Sequence, residues 1–534
     1  MKKRAIAVMF GLVVMFACTG LRMASLVKHT SRVSVSSSAK TVDIATLRGT
    51  VYDCNLQPLT NAETVLYAAA KPSPYSLGQL NGNVTPEIFN SVAERMREGK
   101  PVAVKIHSSI KPNGDIMEIR VPERYSSSSF ACHIIGYTDS SGQGISGIEK
   151  AYDSLLSQSK STVTARFSSD ANGRIMLGEE IEIKGNSIPR KGIVLTIDKN
   201  IQHITEAALD RSGAECASAV VIEIESGAIR ACVSRPAFDP DNIADSLNNI
   251  NSPLINRAFL PFSVGSVFKP VVASAALEKG ITENYEYNCT GSVTHNGVTF
   301  NCHKKDGHGI MNMENAVANS CNTYFISLAI ETGIDNIISM AENYGFGRET
   351  ILADGMKSLS GYLPSASEID SKAAISNISF GQGALLATPL QICNVAATVA
   401  RGGVYIEPYL IEGETDENGE FIKIKPYSEK KQVMTYENAL LIRKFLEKVV
   451  TDGSGVRAHS EYVTAAGKTA TAQTGKSENG EEIYNAWFMG YFPADNPKYA
   501  VVILKENGGE GALSCAPVFK EITDNMVKNP KIAM

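Results

Sequence analysis

The sequence lacks the charge and repeat patterns that several protein classes require. It has 51 Lys and Arg residues against 56 Asp and Glu residues, a formal net charge of −5, and no basic block or basic-aromatic stripe. A nucleic-acid partner is therefore not expected, because proteins that bind nucleic acid concentrate positive charge on one face. Internal repeats and extended low-complexity segments are also missing, so nothing in the sequence indicates a repeat architecture.

Cysteines and long hydrophobic runs are sparse. The ten cysteines are scattered over 534 residues without a repeated spacing, which excludes the disulfide framework of a small secreted domain. Beyond the N-terminal region, no segment is long and apolar enough to span a membrane. A chain of this length with 43% hydrophobic residues is expected to form two or more domains.

One long apolar run is present, at the N-terminus. Basic residues at positions 2–4 precede AIAVMFGLVVMFACTGL, which is typical of a signal sequence or a short membrane-spanning helix. No convincing small-x-small cleavage site follows, so we expect an uncleaved single-pass anchor; a lipoprotein signal at Cys18 fits less well because Phe16 is unusual in that motif. The positive flank predicts a cytoplasmic N-terminus and an extracytoplasmic body, in the cell membrane.

The composition divides the remaining chain. A Ser-rich stretch, KHTSRVSVSSSAK, predicts a polar tether, and the region after it mixes short strands with helices but has no cluster of acid, base and nucleophile. From Gly192 the pattern changes to clear strands (IVLTI, SAVVIEI, IRACVS) followed by long helical runs and more strands, which predicts an α+β fold with helices packed on a sheet. The expected segments are an anchor (1–22), a tether (23–45), a first region (46–168), a linker (169–191) and a second region (192–534).

The stretch PFSVGSVFKPVVASAALEKG places a nucleophile beside a possible base. Ser266 and Lys269 are three residues apart at the start of an apolar, Ala-rich run, so on a helix they lie on the same face. Burial lowers the pKa of a lysine, and a neutral amine can accept the proton of a serine hydroxyl. The spacing alone is weak evidence, because S-x-x-K also occurs in polar surroundings elsewhere in the chain.

Two further motifs follow in order. Ser320, Cys321 and Asn322 form S-x-N, and Lys468 with Thr469 forms K-T just before a pair of strands. The order S-x-x-K, S-x-N, K-T over some two hundred residues is the arrangement of penicilloyl serine transferases. Each motif is weak alone, but the ordered series is specific.

The chain resembles class B penicillin-binding proteins, membrane-anchored D,D-transpeptidases of peptidoglycan synthesis. Besides the three motifs, the resemblance includes RGTVYD, SGIEKAYDSLL, LTIDKNIQ, SRPAFDPDN, FGQGALLATPLQ, VVTDGSGVRA and NAWFMGYFPADNPKYAVVILKEN. It implies that 46–168 is a non-catalytic pedestal of mixed α/β structure and that 192–534 is a transpeptidase domain, an antiparallel sheet flanked by helices as in serine β-lactamases.

The resemblance also assigns roles to the motif residues. Ser266 would form an acyl-enzyme with the penultimate D-alanine of a stem pentapeptide, on lipid-linked or nascent glycan, and would release the terminal D-alanine. Lys269 would act as base, Ser320 would relay the proton, and Asn322 would position Lys269 and the substrate amide. The remaining roles are Lys468 and Thr469 for the substrate carboxylate, Thr471 and Ala470 for the peptide along the strand, and the backbone N–H groups of Ser266 and Thr471 for the oxyanion hole.

Two residues depart from the family pattern. Ala470 stands where K-T-G or K-S-G usually has glycine, and its methyl group is expected to narrow the space beside the strand and to affect substrate fit and β-lactam affinity. Val264 replaces the usual proline two residues before the serine, which is expected to alter only the stiffness of the loop.

Other residues receive structural interpretations. Cys289 and Cys302, followed by His303 and His308, lack paired metal-ligand spacing, so we expect a disulfide or two free thiols, and no metal or cofactor. Cys321 is expected to pack rather than react. Structural roles are likewise expected for the single tryptophan, Trp487, as core or floor of the site, and for Glu149, as a member of an ion pair.

Two other functions stay open on the sequence. A β-lactamase or β-lactam sensor would share Ser266 and Lys269, but a carboxylate base for water cannot be located. A catalytically silent scaffold for a glycan polymerase would not need the intact motifs. The resemblance further implies covalent binding of β-lactam antibiotics and a SEDS-type glycosyltransferase partner in the membrane. It leaves open a role in elongation, division or sporulation.

Overall fold

The computed structural model describes residues 2–30, 38–126, 129–158, 160–185, 188–424, 430–478, 480–532 and 534. The chain forms two compact units that interleave along the sequence. Unit 1 comprises Met1–Leu47, Thr64–Pro122 and Ser161–Ser187, and unit 2 comprises Arg48–Glu63, Glu123–Lys160 and Ile188–Met534. The first region expected at 46–168 is thus distributed over both units.

The N-terminal apolar run forms a helix, α1 (Lys2–Thr30), that is longer than the predicted anchor. Within it, Ile6–Ser25 is long and apolar enough to cross a membrane, and no other described helix is. The predicted tether (23–45) is partly regular, because the helix continues to Thr30 and a strand begins at Ser38. Residues 31–37 of the tether lie outside the described residues.

Besides α1, the described part of unit 1 contains two helices and two three-stranded sheets. One sheet has the order β1-β6-β7 and the other β4-β3-β5. Successive side chains of β3 point to opposite faces of its sheet and contribute to two hydrophobic cores. Ala68 and Ala70 pack with residues of the two helices, whereas Ala69 packs with residues of the other sheet. The elements are β1 (Ser38–Leu47), β3 (Glu63–Ala70), α2 (Pro74–Leu80), α3 (Pro86–Arg97), β4 (Val102–Ile106), β5 (Ile116–Glu123), β6 (Ser161–Ser169) and β7 (Glu182–Lys184).

Unit 2 is built on a five-stranded antiparallel sheet of order β10-β9-β25-β24-β23. Its strands are β9 (Ala217–Glu223), β10 (Ile229–Arg235), β23 (Ala466–Glu478), β24 (Glu481–Phe492) and β25 (Tyr499–Lys505). Both faces are apolar: along β9, Val220 and Ile222 belong to one core and Ala219 and Val221 to the other. Helices cover both faces, so the predicted α+β layout of a sheet flanked by helices is confirmed.

The helices of unit 2 are mostly short. They are α4 (Cys132–Ile135), α5 (Gly147–Ala151), α6 (Asp153–Gln158), α7 (Lys199–Arg211), α8 (Ala244–Leu247), α9 (Lys269–Glu278), α10 (Met313–Ala318), α11 (Asn322–Thr332), α12 (Ile334–Asn343), α13 (Lys372–Ser379), α14 (Pro389–Ala400), α15 (Tyr436–Thr451), α16 (Gly511–Ser514) and α17 (Ala516–Lys528). Helix α14, which is entirely buried, packs on one face of the five-stranded sheet, and α7 and α17 cover the other face.

Smaller sheets complete unit 2. A four-stranded sheet has the order β2-β8-β20-β21, in which β2 and β8 run parallel. The five two-stranded pairs are β11-β18, β12-β15, β13-β14, β16-β17 and β19-β22. These strands are β2 (Thr50–Tyr52), β8 (Gly192–Leu195), β11 (Phe262–Ser263), β12 (Tyr287–Cys289), β13 (Ser292–His295), β14 (Val298–Asn301), β15 (Gly309–Met311), β16 (Thr350–Ala353), β17 (Met356–Ser358), β18 (Leu386–Ala387), β19 (Val404–Ile406), β20 (Ile411–Thr415), β21 (Phe421–Lys423) and β22 (Lys430–Gln432).

Two structural interpretations of single residues are confirmed. The Glu149 carboxylate is fully buried and forms ion pairs with Arg124 at 2.6 Å and Arg48 at 3.3 Å. Trp487 is fully buried in the core, and its indole Nε1–H donates to the Ser263 carbonyl at 2.9 Å. A buried carboxylate held by two guanidinium groups, and a buried indole with its N–H paired, are satisfied structural groups.

Candidate active site

The predicted nucleophile lies in a tight turn. Strand β11 leads into a 3₁₀ turn, Gly265–Phe268, which continues as α9. Ser266 therefore precedes the α-helix rather than starting it, but residues three apart in a 3₁₀ turn are eclipsed, so Lys269 stays on the same side. Gly265 has φ +61°, and a Cβ there would lie 3.1 Å from the Cβ of Ala472. The turn is thus packed against strand β23.

A second loop fixes this turn. The N–H of Gly265 donates to the carbonyl of Gly381 at 2.8 Å. Gly381 has φ +75°, and a Cβ there would lie 2.1 Å from the Gly265 carbonyl oxygen. A side chain at position 381 would therefore displace the nucleophile turn. Sequence reasoning did not assign a role to Gly381, although FGQG, which contains it, carries part of the family resemblance.

The lysine of the first motif is fully buried and fully hydrogen-bonded. The Lys269 ammonium donates to the Ser320 carbonyl at 2.7 Å, to Asn322 Oδ1 at 2.8 Å and to Ser320 Oγ at 3.2 Å. It also lies 5.4 Å from the centre of the Phe325 ring. Burial lowers the pKa of Lys269 to about 8. The first two motifs thus converge as predicted, and a substantial fraction of the amine is neutral near physiological pH.

The S-x-N motif lies between two helices. Ser320 follows α10 with φ +52°, a left-handed conformation that is uncommon outside glycine, and the Cys321 N–H donates to the Ala316 carbonyl at 3.0 Å. This turn directs the Ser320 carbonyl at Lys269. Asn322 begins α11, and its amide Nδ2 donates to the Asn301 carbonyl at 3.1 Å, which leaves Oδ1 for the lysine.

The third motif lies on the edge strand of the sheet. Lys468 on β23 is fully buried, and its Nζ donates to the Thr469 carbonyl at 3.1 Å. Burial holds the pKa of Lys468 well below its usual range, and the charge of Lys269 lowers it further. The two buried amines thus lie close enough for the charge of Lys269 to act on Lys468.

The threonines of this strand form hydrogen bonds with groups outside the three motifs. The Thr469 hydroxyl lies 3.1 Å from the Ser454 hydroxyl, and Thr471 is exposed, with its Oγ1 accepting from the Gly511 N–H at 3.3 Å. Sequence reasoning missed Ser454 as a partner of Thr469. The string TDGSGVRA, which contains Ser454 and is part of the family resemblance, could have indicated that this serine belongs to the site.

Ala470, the residue that departs from the family pattern, is enclosed. It is 4% exposed, belongs to the core around Trp487 and pairs with that tryptophan across β23 and β24. Its carbonyl oxygen lies 2.2 Å from the position that a Cβ at Gly511 would occupy. The methyl group is thus accommodated by packing, and its effect on substrate fit stays a prediction.

The chain belongs to the penicillin-binding protein transpeptidase family: residues 217–524 match the family described as the penicillin binding protein transpeptidase domain. This match includes all three motifs. Together with the relatives given next, it confirms the predicted resemblance to class B penicillin-binding proteins.

Three relatives carry names from this class. Stage V sporulation protein D of Bacillus subtilis is 30% identical over 78% of this chain and 65% of its own length. Peptidoglycan D,D-transpeptidase MrdA of Acinetobacter baumannii is 27% identical over 83% of this chain and 74% of its own length. Peptidoglycan D,D-transpeptidase FtsI of Buchnera aphidicola is 30% identical over 74% of this chain and 68% of its own length. The chain thus spans between about two thirds and three quarters of these relatives.

Solved structures confirm the fold. The D,D-transpeptidase domain of a peptidoglycan glycosyltransferase from Eggerthella lenta matches with a TM-score of 0.66 at 24% identity, over 90% of this chain and 98% of that one. Penicillin binding protein 3 of Mycobacterium tuberculosis, complexed with aztreonam, matches with a TM-score of 0.65 at 24% identity, over 90% of this chain and 95% of its own.

Proposed function

We propose that the protein is a serine-type peptidoglycan D,D-transpeptidase that cross-links stem peptides through an acyl-enzyme on Ser266. The observation that carries the proposal is the environment of Lys269: a fully buried amine, one 3₁₀ turn after the serine, held by Ser320 and Asn322, with a pKa lowered to about 8. Relatives named as peptidoglycan D,D-transpeptidases support the assignment of substrate class.

Acylation needs a base with a free lone pair. A neutral Lys269 amine keeps two N–H bonds, which suffice for the Ser320 carbonyl and Asn322 Oδ1, the two shorter contacts. Its lone pair is then free to accept the proton of Ser266 as the oxygen attacks the carbonyl of the penultimate D-alanine. Desolvation, which lowers the pKa, therefore makes the base available.

The tetrahedral intermediate needs donors for its oxyanion. The backbone N–H groups of Ser266 and Thr471 are our candidates, and the packing of the nucleophile turn against Ala472 and the Thr471 carbonyl supports their proximity. A donor of this kind contributes about 3 kcal/mol to transition-state stabilisation. As the intermediate collapses, the proton passes from Lys269 through the Ser320 hydroxyl to the leaving nitrogen of D-alanine.

The substrate carboxylate would bind at the K-T motif. Burial lowers the pKa of Lys468, so an arriving carboxylate would raise this pKa again and favour the charged amine. The Thr469 hydroxyl, beside Ser454, would donate a hydrogen bond to the same carboxylate. The donor peptide would lie along 468–472 as an added strand on the sheet edge. An amine of a neighbouring stem then attacks the acyl-enzyme, restores Ser266 and forms the cross-link.

β-Lactams would acylate Ser266 by the same route. A β-lactamase or β-lactam sensor is the alternative function with this site, and the two are separated by the lifetime of the adduct. A catalytically silent scaffold is disfavoured because it gives no reason to bury Lys269 and Lys468 in one site at the expense of their charges.

We also propose the orientation and the membrane partner. Basic residues at positions 2–4 before the apolar helix Ile6–Ser25 support a cytoplasmic N-terminus, with the catalytic unit outside. Unit 1 would act as the pedestal, and a SEDS-type glycosyltransferase would bind through the anchor and pedestal and supply nascent glycan. Both assignments rest on family resemblance.

Labelling with a fluorescent penicillin tests the proposal. The full chain in detergent should form one stable covalent adduct by intact mass, and Ser266→Ala should form none. Turnover of a D-Ala-D-Ala peptide with release of D-alanine should accompany labelling. An adduct that clears rapidly with hydrolysed drug would favour a β-lactamase, and the absence of adduct and of peptide turnover from the wild type would favour the scaffold.

A further inference from the structure

Four potential metal ligands converge beside the S-x-N motif. Cys289 ends β12, Cys302 follows β14, His308 precedes β15, and Cys321 lies between Ser320 and Asn322. The three sulfur atoms and one imidazole nitrogen all lie within 4.8 Å of one another. The sequence alone disfavoured a metal at Cys289, Cys302, His303 and His308 because these residues lack paired ligand spacing, and Cys321 was not considered as a ligand. The fold supplies this fourth ligand, Cys321, from the residue that precedes α11.

We propose that Cys289, Cys302, His308 and Cys321 bind a structural Zn²⁺ ion. Zinc prefers thiolate and imidazole ligands in a tetrahedron, and three cysteines with one histidine form a common structural set. The inference does not depend on the proposed function, because metal content is measured without turnover.

The spacing of the ligand atoms matches a tetrahedral site. With Zn–S about 2.3 Å and Zn–N about 2.05 Å, a regular tetrahedron has S···S edges of about 3.8 Å and S···N edges of about 3.5 Å. The His308 Nδ1 lies 3.5 Å from the sulfur atoms of Cys289 and of Cys302. The sulfur atoms of Cys302 and Cys321 are 3.9 Å apart. A small movement of the side chains would therefore complete the coordination.

A disulfide bond or hydrogen bonds among thiols account less well than a metal ion for the convergence of these four residues. All three cysteines are free thiols, which agrees with one of the two expectations for Cys289 and Cys302. The sulfur atoms of Cys302 and Cys321 are 3.9 Å apart, nearly twice the length of a disulfide bond. Hydrogen bonds among thiols are weak, and they do not require three cysteines and a histidine to meet. The cysteines are at most 3% exposed, so a metal bound there would be shielded from water.

Two glycines near the ligands, Gly291 and Gly307, lie in close contact with backbone carbonyl groups of neighbouring segments. Gly291 has φ +96°, and a Cβ there would lie 1.9 Å from the Lys305 carbonyl oxygen. Gly307 has φ +78°, and a Cβ there would lie 2.2 Å from the Cys289 carbonyl oxygen. The Gly291 carbonyl in turn accepts from the Cys302 N–H at 2.8 Å. The two ligand loops are thus held together by contacts that only glycine permits.

A metal here would position the catalytic motif. Cys321 is flanked by Ser320 and Asn322, the two residues that hold Lys269, and the Asn322 amide donates to the carbonyl of Asn301, which directly precedes Cys302. The ion would tie the loops of β12–β15 to the start of α11 and fix both contacts to the lysine. The four ligands are therefore positioning residues and do not touch the reacting atoms.

Metal analysis of the full chain in detergent tests the site. The wild type, purified without chelator and under mild reduction, should contain about one zinc per chain by plasma mass spectrometry. Cobalt exchanged into the protein should give intense visible bands of tetrahedral Co²⁺ and a near-ultraviolet charge-transfer band from thiolate. Cys289→Ser and His308→Ala should reduce zinc content at least about fivefold.

Matched controls separate ligands from bystanders. Cys216→Ser removes a half-buried thiol outside the group. His303→Ala removes the histidine whose ring makes an edge contact with His308, at 5.0 Å between ring centres, and whose Nδ1 lies 4.0 Å from the Cys302 sulfur. Both should keep the metal. Loss of metal from His303→Ala with retention in His308→Ala would overturn the assignment of His308.

The wild type alone can also refute the proposal, even where variants fail to fold. Zinc below about a tenth of an equivalent together with no cobalt charge-transfer band would overturn it. A peptide map under non-reducing conditions that joins Cys302 to Cys321 in metal-free protein would replace the ion with a disulfide.

Discussion

The buried Lys269 predicts a specific pH dependence for acylation by β-lactams. The amine acts as base only when neutral, and its pKa is lowered to about 8. The neutral fraction is then about one hundredth at pH 6, one tenth at pH 7 and one half at pH 8. The second-order rate constant of acylation should therefore rise about tenfold from pH 6 to 7, about fivefold from pH 7 to 8, and less than twofold from pH 8 to 9.

A single substitution should move this midpoint. Asn322→Asp replaces the Oδ1 that accepts from Lys269 at 2.8 Å with a carboxylate oxygen. A negative charge in contact with the ammonium should raise the pKa of Lys269 by about 1 to 3 units, so acylation at pH 8 should fall at least about fivefold and recover at higher pH. The variant also loses the amide donor to Asn301, so the informative quantity is the midpoint rather than the absolute rate.

The assay is stopped-flow acylation by a fluorescent penicillin across pH 6–10, with the full chain in detergent. Asn319→Asp is the matched control, because it adds the same charge on an exposed side chain that donates to the Asn315 carbonyl. A flat profile, a midpoint near that of an exposed lysine at about 10.4, or equal midpoints in wild type and Asn322→Asp would refute the role of Lys269 as a desolvated base.

Three further outcomes follow from the geometry of the site. Gly381→Ala would place a Cβ 2.1 Å from the Gly265 carbonyl oxygen and should slow acylation at least about tenfold. The control Gly383→Ala has the same left-handed backbone but a nearest contact of 3.4 Å, so it should retain most of the acylation rate. Equal losses of rate in the two variants would assign the effect to backbone strain alone. Ala470→Gly removes an enclosed methyl group and should lower the stability by about 0.5 to 1 kcal/mol, measured as a lower Tm. Acylation by β-lactams should become a few-fold faster. An unchanged or slower rate would show that the methyl group does not limit access of the β-lactam to the strand. Binding of an anionic β-lactam to the non-acylating variant Ser266→Ala should be accompanied by uptake of about one proton, because Lys468 becomes charged. Calorimetry in buffers of different ionisation enthalpy measures this uptake. No uptake would show that Lys468 is charged before binding.

Local patterns predicted much of the fold. The strings IVLTI, SAVVIEI and IRACVS correspond to strands β8 (Gly192–Leu195), β9 (Ala217–Glu223) and β10 (Ile229–Arg235). These strands are buried on both faces, so their continuous apolar runs are a strong signal. The order of the three motifs predicted which residues would meet, because each sits at the start of a helix or on a strand that the sheet architecture brings together.

Long-range geometry could not be predicted in the same way. The left-handed conformation of Ser320 depends on the turn between α10 and α11, and S-x-N gives no signal for it. The convergence of Cys321 with His308 depends on how the intervening hairpins pack, which spacing does not encode. The burial that lowers the pKa of both Lys269 and Lys468 depends on how helices and sheet pack together, which motif order does not specify.

The interleaving of the two units has a consequence for how the catalytic unit is assembled. Strand β2 (Thr50–Tyr52) pairs with β8 (Gly192–Leu195) across a loop of about 140 residues, and most of unit 1 lies within that loop. The catalytic unit is therefore not a portable C-terminal module: a fragment that begins at Gly192 would expose one edge of β8 and leave out the Arg48–Glu149 pair. Nested in this way, unit 1 shortens the effective loop once it has folded, so its folding should lower the entropic cost of closing β2 onto β8. An exchange of unit 1 between relatives would need joints inside the chain, around Thr64–Pro122 and Ser161–Ser187, in addition to one after Leu47.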